Sequence, residues 1–504
     1  SDVVVLTSGE FDSTIDAGFF QEVVVELAGL GDFVFNDVNR NGIQDDGEVG
    51  IDGATVKLLD ASGAVIDTTT TGDDPNTPGT QTGYYEFTGL TPGDYQVMFV
   101  TPEGFDGVSP FLVGGDRTID SDANPNNDLT SLVVTLDPGE FDSTIDAGFF
   151  QNSGLGDFVF EDLNANGIQD PGEAGIDGVE VKLLDGDGNE IATTTTGDDP
   201  NTPGTQTGYY EFTGLTPGDY QVMFTQPNGF DSVSPFLAGN DRAVDSDANP
   251  NNGLMSEVVT LASGEFNPTI DAGFYNTAGL GDFVFEDLNA NGIQEVGDNG
   301  IDNVVVKLLA DTDGDGQIDD VVAQTVTGDD PNTPGTQAGY YEFTGLTPGV
   351  EYKVMFTQPN GFDGVSPFQV GDDPTVDSDA NPDDGLMSDV IVLDSGEFDP
   401  TIDAGFFKTA ALGDFVFEDT NANGIQDEGE AGIDGVTVKL LADTDNDGAI
   451  DDVVAEAVTG DDPNTEGTQA GYYEFTGLTP GVEYKVMFTQ PDGFDGVSPF
   501  QAGD

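Results

Sequence analysis

The chain has 504 residues, of which 97 are Asp or Glu and only 10 Lys or Arg, giving a formal net charge of -87. Such a surplus repels phosphate backbones and anionic lipid surfaces, which argues against nucleic-acid and membrane partners, and it opposes compact folding unless cations or a saline medium offset the carboxylates. With no Cys and no His there is neither a disulfide framework nor an ordinary zinc or iron site, while 70 Gly and 27 Pro predict short strands and many tight turns.

Residues 1–20 match 388–407 and read as the last two strands of a module, so 1–29 is taken as the end of an incomplete module plus a linker. The string Leu-Gly-Asp-Phe-Val-Phe then starts at Leu30 and returns at Leu155, Leu280 and Leu412. That spacing suits globular domains, not a solenoid. Four repeats follow, 30–154, 155–279, 280–411 and an incomplete 412–504. Within a repeat the apolar residues alternate with period two. In the second copy strands are predicted at 156–160, 179–184, 190–196, 209–213, 220–224, 255–261 and 269–275, with no helix. The expected fold class is all-β, a tandem array of Ig-like or prealbumin-like β-sandwich modules. Linkers as short as 151–154 restrict swinging, so a semi-rigid, elongated rod is expected.

The strongest chemical signal follows the first strand of each copy. Asp37, Asn39, Asn41, the Ile43 carbonyl, Asp45 and Glu48 occupy the ligand positions of a twelve-residue EF-hand loop, with Gly42 at its sharp turn. Calcium takes about six to eight oxygens in flexible geometry, and alternate residues round a turn aim theirs inward. The second copy offers Asp162, Asn164, Asn166, Ile168, Asp170 and Glu173, and the fourth Asp419, Asn421, Asn423, Ile425, Asp427 and Glu430. The third keeps Asp287, Asn289, Asn291 and Ile293 but exchanges the last two types, as Glu295 and Asp298, which predicts a weaker site. An Asx-rich turn that binds nothing is the alternative.

A second acidic run lies late in each complete copy: Asp120, Asp122 and Asn124; Asp245, Asp247 and Asn249; Asp377, Asp379 and Asn381. Spacing of two puts these oxygens on one side of an extended turn, and Asp146, Asp271 or Asp403 of the following Thr-Ile-Asp-Ala-Gly can join them. A second metal site and a solvated loop are the two readings. An insertion in the third copy supplies Asp311, Asp313, Asp315, Asp319 and Asp320, and in the fourth Asp443, Asp445, Asp447, Asp451 and Asp452. These follow the EF pattern through its ninth position, but the twelfth is Val322 or Val454, so Asp320 or Asp452 is expected to close the shell. Asp73, Asp74 and Asn76 open a further turn that is either an oxygen donor or merely Pro-stiffened.

Together, Gly-Asp-Phe-Val-Phe, Asp-x-Asn-x-Asn-Gly-Ile-Gln, Gly-Tyr-Tyr-Glu-Phe-Thr-Gly-Leu-Thr-Pro-Gly and Thr-Ile-Asp-Ala-Gly-Phe resemble the calcium-binding B repeats of serine–aspartate-repeat surface adhesins. They also resemble the wider prealbumin-like B-type modules of collagen adhesins. The resemblance covers essentially the whole chain and implies stalk-like modules on a bacterial surface, folded and rigidified by calcium. It carries the ion-binding role onto Asp37, Asn39, Asn41, Asp45 and Glu48 and their equivalents. Some related modules form Lys crosslinks, but Lys57, Lys182, Lys307 and Lys439 alternate with apolar residues and are expected to face away from the core.

The expected role is therefore a calcium-stabilised structural repeat of an extracellular filament or surface stalk, with no catalysis. The alternative is an adhesin that binds a host protein or glycan through its loop tips. Segments 1–20 and 412–504 are complementary, and the chain is either part of a longer array or a subunit that polymerises head-to-tail by strand donation.

Overall fold

The computed structural model describes residues 2–499 except 23, 76, 78–80, 201, 203–205, 332–336 and 464–468, so Asn76 lies outside the described residues. The first module has ten short strands: β1 (Ala28–Leu30), β2 (Val34–Asn36), β3 (Thr55–Asp60), β4 (Val65–Thr70), β5 (Phe87–Leu90), β6 (Gly93–Phe99), β7 (Gly107–Val108), β8 (Val134–Leu136), β9 (Phe141–Asp142) and β10 (Ala147–Phe150). They form three sheets, ordered β4-β3-β6-β8, β5-β1-β9 and β2-β10-β7. One core lies between the first sheet and the other two, where Val56, Leu58, Val97 and Phe99 meet Leu30, Val34, Phe87 and Phe149. Alternation explains the layering: Val56 and Leu58 are buried while Lys57 between them is half-exposed.

The Leu-Gly-Asp-Phe-Val-Phe string is not one strand. Residues 31–33 separate β1 from β2, and the chain passes from one small sheet to the next. A Cβ on Gly31 would lie 2.2 Å from the Tyr85 carbonyl oxygen, so glycine is required by this close approach. Each half then pairs in parallel with a closing strand, β1 with β9 and β2 with β10. In the second module the predicted strand at 156–160 is accordingly replaced by Ser153–Leu155 and Val159–Glu161.

The other long strands lie close to expectation at Glu180–Asp185, Glu190–Thr195 and Gly218–Phe224, whereas 209–213, 255–261 and 269–275 give way to Phe212–Leu215, Val259–Leu261 and Ala272–Tyr275. Two-residue strands at Ser232–Val233 and Phe266–Asn267 carry too few residues to show alternation. The chain is all-β as expected; single 3-10 turns at Pro250–Asn252 and Pro382–Asp384 interrupt loops, and among the described residues no helix is long and apolar enough to cross a membrane.

The chain divides into two compact units. The first contains the module just described and most of the second. The other contains the third and fourth modules together with 161–166 and 228–234. The third module repeats the full core. In the fourth, Ala410–Phe415 is a single strand paired with Tyr472–Leu478, and the buried cluster at its centre comprises Val438, Leu440, Tyr473 and Phe475. Phe488 is 51% exposed where its counterpart Phe356 is 2% exposed. Phe11, Ile15, Phe19 and Phe20 near the other end are also exposed.

Candidate metal centres

The first acidic loop leaves β2 and folds back on itself. Asp37 is buried, and its Oδ1 and Oδ2 accept from the Asn41 and Gly42 N–H groups at 3.1 and 2.8 Å. Gly42 has φ +80°, and a Cβ there would meet the Pro110 carbonyl oxygen at 2.4 Å. Asn39 and Asn41 each donate Nδ2 to Asp45 Oδ2, at 2.8 and 2.7 Å, so the positive edges of two amides point at one carboxylate oxygen as a cation would. Glu48 closes the loop, accepting from Asp45 N at 3.0 Å and Val38 N at 2.6 Å. Burial raises the Glu48 carboxyl above its ordinary range against these hydrogen bonds, and Asp37 and Asp45 push in the same direction as burial.

The fourth loop repeats these bonds through Asp419, Asn421, Asn423, Asp427 and Glu430. In the second, Asn166 N donates to Asp162 and Asn164, and Asp170 N to Glu173. The exchanged pair of the third loop preserves the pattern: Asp298 takes the Glu48 role on Leu288 N and Glu295 N, at 3.2 and 2.9 Å, while Asn289 donates to Glu295.

Ile43 and Asp120 form a β-bridge, as do Ile168 with Asp245 and Ile293 with Asp377, so the late acidic run lies beside the first loop. In the first module that bridge uses Gln44 N and the Gly42 carbonyl, and leaves the carbonyl of Ile43 itself out of the pairing. Asp120, Asp122 and Asp146 are buried, and Asp32, from the break between β1 and β2, is nearly so. Asp146 Oδ1 accepts from Phe33 N at 3.1 Å, Asp122 Oδ2 from Asp146 N at 3.3 Å, and Arg117 Nη2 donates to Asp122 Oδ1 at 2.8 Å.

Asp146 Oδ2 and Asp120 Oδ1 are buried without a hydrogen-bond partner, as are the corresponding oxygens of Asp271 and Asp245 and of Asp403 and Asp377. Burial pushes Asp32 and Asp122 up to about 7, and Asp146 well above the carboxylate range, with neighbouring carboxylates adding to it. Asp157 and Asp247, and Asp282 and Asp379, are likewise pushed up to about 7. A buried group of like charges with bare oxygens needs protons or a cation.

Asp32, Asp157 and Asp282 were absent from the sequence-derived ligand set. Their signal was an acid recurring inside an otherwise apolar string. Asn124, Asn249 and Asn381 belong to turns: their Oδ1 atoms accept from Asn126, Asn251 and Asp383 N–H, and the last two cap the 3-10 turns.

In the inserted loops, carboxylate oxygens of Asp311, Asp313 and Asp315 lie within 4.8 Å of one another, as do those of Asp443, Asp445 and Asp447. Asp320 and Asp452 accept from the N–H and hydroxyl of Thr312 and Thr444, which holds both carboxyls below the usual range. Asp319 and Asp451 join neither triad.

A family model described as the SdrD B-like domain matches residues 28–149, 153–274, 278–406 and 410–504. Serine-aspartate repeat-containing protein D of Staphylococcus aureus (strain MW2) is 36% identical over 97% of this chain and 31% of its own length. Serine-aspartate repeat-containing protein F of Staphylococcus epidermidis is 36% identical over 92% of this chain and 24% of its own length. The chain thus spans about a third or less of the curated relatives it matches. The major pilin subunit of Bacillus cereus is 13% identical over 75% of this chain and 99% of that one, with a TM-score of 0.26, a likeness that carries no weight for function.

Proposed function

The chain belongs to the SdrD B-like domain family, and from that premise we propose that it is a calcium-stabilised structural segment of a bacterial surface protein, a stalk and not a catalyst. The bare, buried oxygens of Asp146, Asp271 and Asp403, each among further buried carboxylates, carry this reading. Asp37, Asn39, Asn41, Asp45 and Glu48 would hold one ion per module. Asp32, Asp120, Asp122 and Asp146 would hold another, and the Asp311 and Asp443 triads one each. All are hard oxygen donors, which suits calcium. Bound calcium supplies positive charge that offsets the -87 surplus and ties loops to strands.

Thermal unfolding of the whole chain in millimolar calcium and in chelator, at matched ionic strength, tests it. Sites filled to about 100 times their dissociation constants add about 2.7 kcal/mol each, so a large rise in melting temperature is expected. Equal melting in both media would sink the reading.

The finer reading is head-to-tail assembly. Ile15 and Phe19 are exposed, whereas their counterparts Ile402 and Phe406 are buried in the third module. Residues 1–20 of one chain would supply the closing strands for the fourth module of a second copy, covering Phe488.

A further inference from the structure

Within the first unit, the first module and the part of the second that belongs to that unit meet at the first acidic loop. The second module's turn Ala262-Ser263-Gly264-Glu265 is closed by Glu265 N on the Ala262 carbonyl at 3.1 Å and by Ala262 N on Glu265 Oε2 at 2.8 Å. From this turn Ser263 N donates to the Val38 carbonyl at 2.9 Å, and Ser263 Oγ donates to Asn36 Oδ1 at 2.9 Å while accepting from Gln151 N at 2.8 Å. Within the second unit the same bonds recur. Ser395 N donates to the Leu163 carbonyl at 2.8 Å, Ser395 Oγ to Glu161 Oε1 at 3.2 Å, and Asn276 N to Ser395 Oγ at 2.9 Å. Leu288, the third residue of this kind, has no such turn upon it among the described residues and is 57% exposed.

Val38 is thus held from two sides. Its N–H binds Glu48, the carboxylate that closes the acidic loop, and its carbonyl receives the next module. With Asp37, Asp45 and Glu48 unneutralised, repulsion loosens the loop and with it the Val38 peptide. A cation that draws them together fixes that peptide in the orientation Ser263 needs.

We propose that the first acidic loop of each module is the seat on which the Ser-Gly turn of the next module docks, so that calcium binding and docking form one coupled equilibrium. The proposal rests on the reading of that loop as a calcium site. Coupling is reciprocal: docking tightens calcium as calcium tightens docking.

Pro138 stands in the first module where Ser263 stands in the second, and its turn keeps the same closure, Glu140 N on the Asp137 carbonyl at 3.2 Å and Asp137 N on Glu140 Oε2 at 2.7 Å. Ser263→Pro therefore removes both donors from a turn that tolerates proline. The chain has no Cys, so Ser62→Cys and Asp187→Cys, at exposed turns of the two modules, give clean spin-label sites in the full chain. Pulsed electron paramagnetic resonance then reads the distance between them.

The expected result is a narrow distribution in calcium, a broad one in chelator, and a broad one for Ser263→Pro even in calcium. Titration of Ser263→Pro should also show about fivefold weaker calcium binding at one site. A Ser263→Pro distribution as narrow as the parent's overturns the seat. A parent distribution equally narrow in chelator, in a chain whose titration shows calcium binding, overturns the coupling. A titration showing no calcium binding removes the reading beneath it, and is told apart from the other failures by that measurement.

Discussion

Asp32, Asp122 and Asp146 hold three carboxylates where water is largely excluded, and the sign of their pH dependence follows directly. A carboxyl whose folded-state pKa is raised keeps its proton better in the fold than in the unfolded chain. The stability it allows is full at low pH and is lost as pH rises from about 4 through about 7. In chelator the chain is therefore expected to melt at lower temperature as pH is raised from about 5 to about 7.5. In calcium the trend should reverse, because protons compete with the ion. A flat melting profile in chelator would count against a buried acidic centre. Asp32→Asn should stabilise the chelated first module by about 1–2 kcal/mol at neutral pH and remove part of its calcium increment. The EF-type residues were legible in the sequence because their spacing is local. Asp32 was not, because only the tertiary fold brings it to Asp146, and period-two reasoning treats its string as one continuous strand.

At the scale of the element, the break between β1 and β2 puts Asp32 at the acidic centre and depends on Gly31. Its counterpart Gly156 is as tightly placed, with a Cβ falling 2.2 Å from the Tyr210 carbonyl oxygen. Gly156→Ala is expected to cost the second module about 3 kcal/mol, seen by calorimetry as one transition moved to lower temperature. An unchanged profile would show that the break has slack. In the fourth module, where no partners equivalent to β9 and β10 occur among the described residues, the corresponding segment is continuous and Asp414 is exposed, so pairing with closing strands and not the string itself imposes the break. The long strands were readable because β3 and β6 carry enough residues to alternate; β7 and β9 have two each, and their register comes from partners far away in sequence.

The third acidic loop tests whether ligand order matters. Glu295→Asp with Asp298→Glu should restore the 2.6 Å closure seen between Glu48 and Val38 and tighten calcium about tenfold by titration, while either change alone weakens it. Equal affinity for parent and double variant would show that the exchange is neutral.

For the whole molecule, strand donation predicts concentration-dependent assembly in calcium, read by size exclusion with light scattering. Phe19→Ser should suppress it, and a parent chain that stays monomeric at all concentrations would exclude it. Donation would also place Asp16, the counterpart of Asp403, against Asp414, and the turn at Thr7–Glu10, closed by Glu10 N on the Thr7 carbonyl at 3.0 Å, beside Leu288 of its new neighbour.

The parallel pairing of β1 with β9 and of β2 with β10 has a further consequence, in mechanics. A pull on the two ends of a module drags its first strands one way and its last strands the other. Parallel neighbours are then loaded in shear, so their hydrogen bonds must fail together instead of unzipping singly. The Phe33–Asp146 bond and the acidic centre lie across that same seam. An ion held there would act as a rivet, and the force a module withstands would follow the calcium concentration around it.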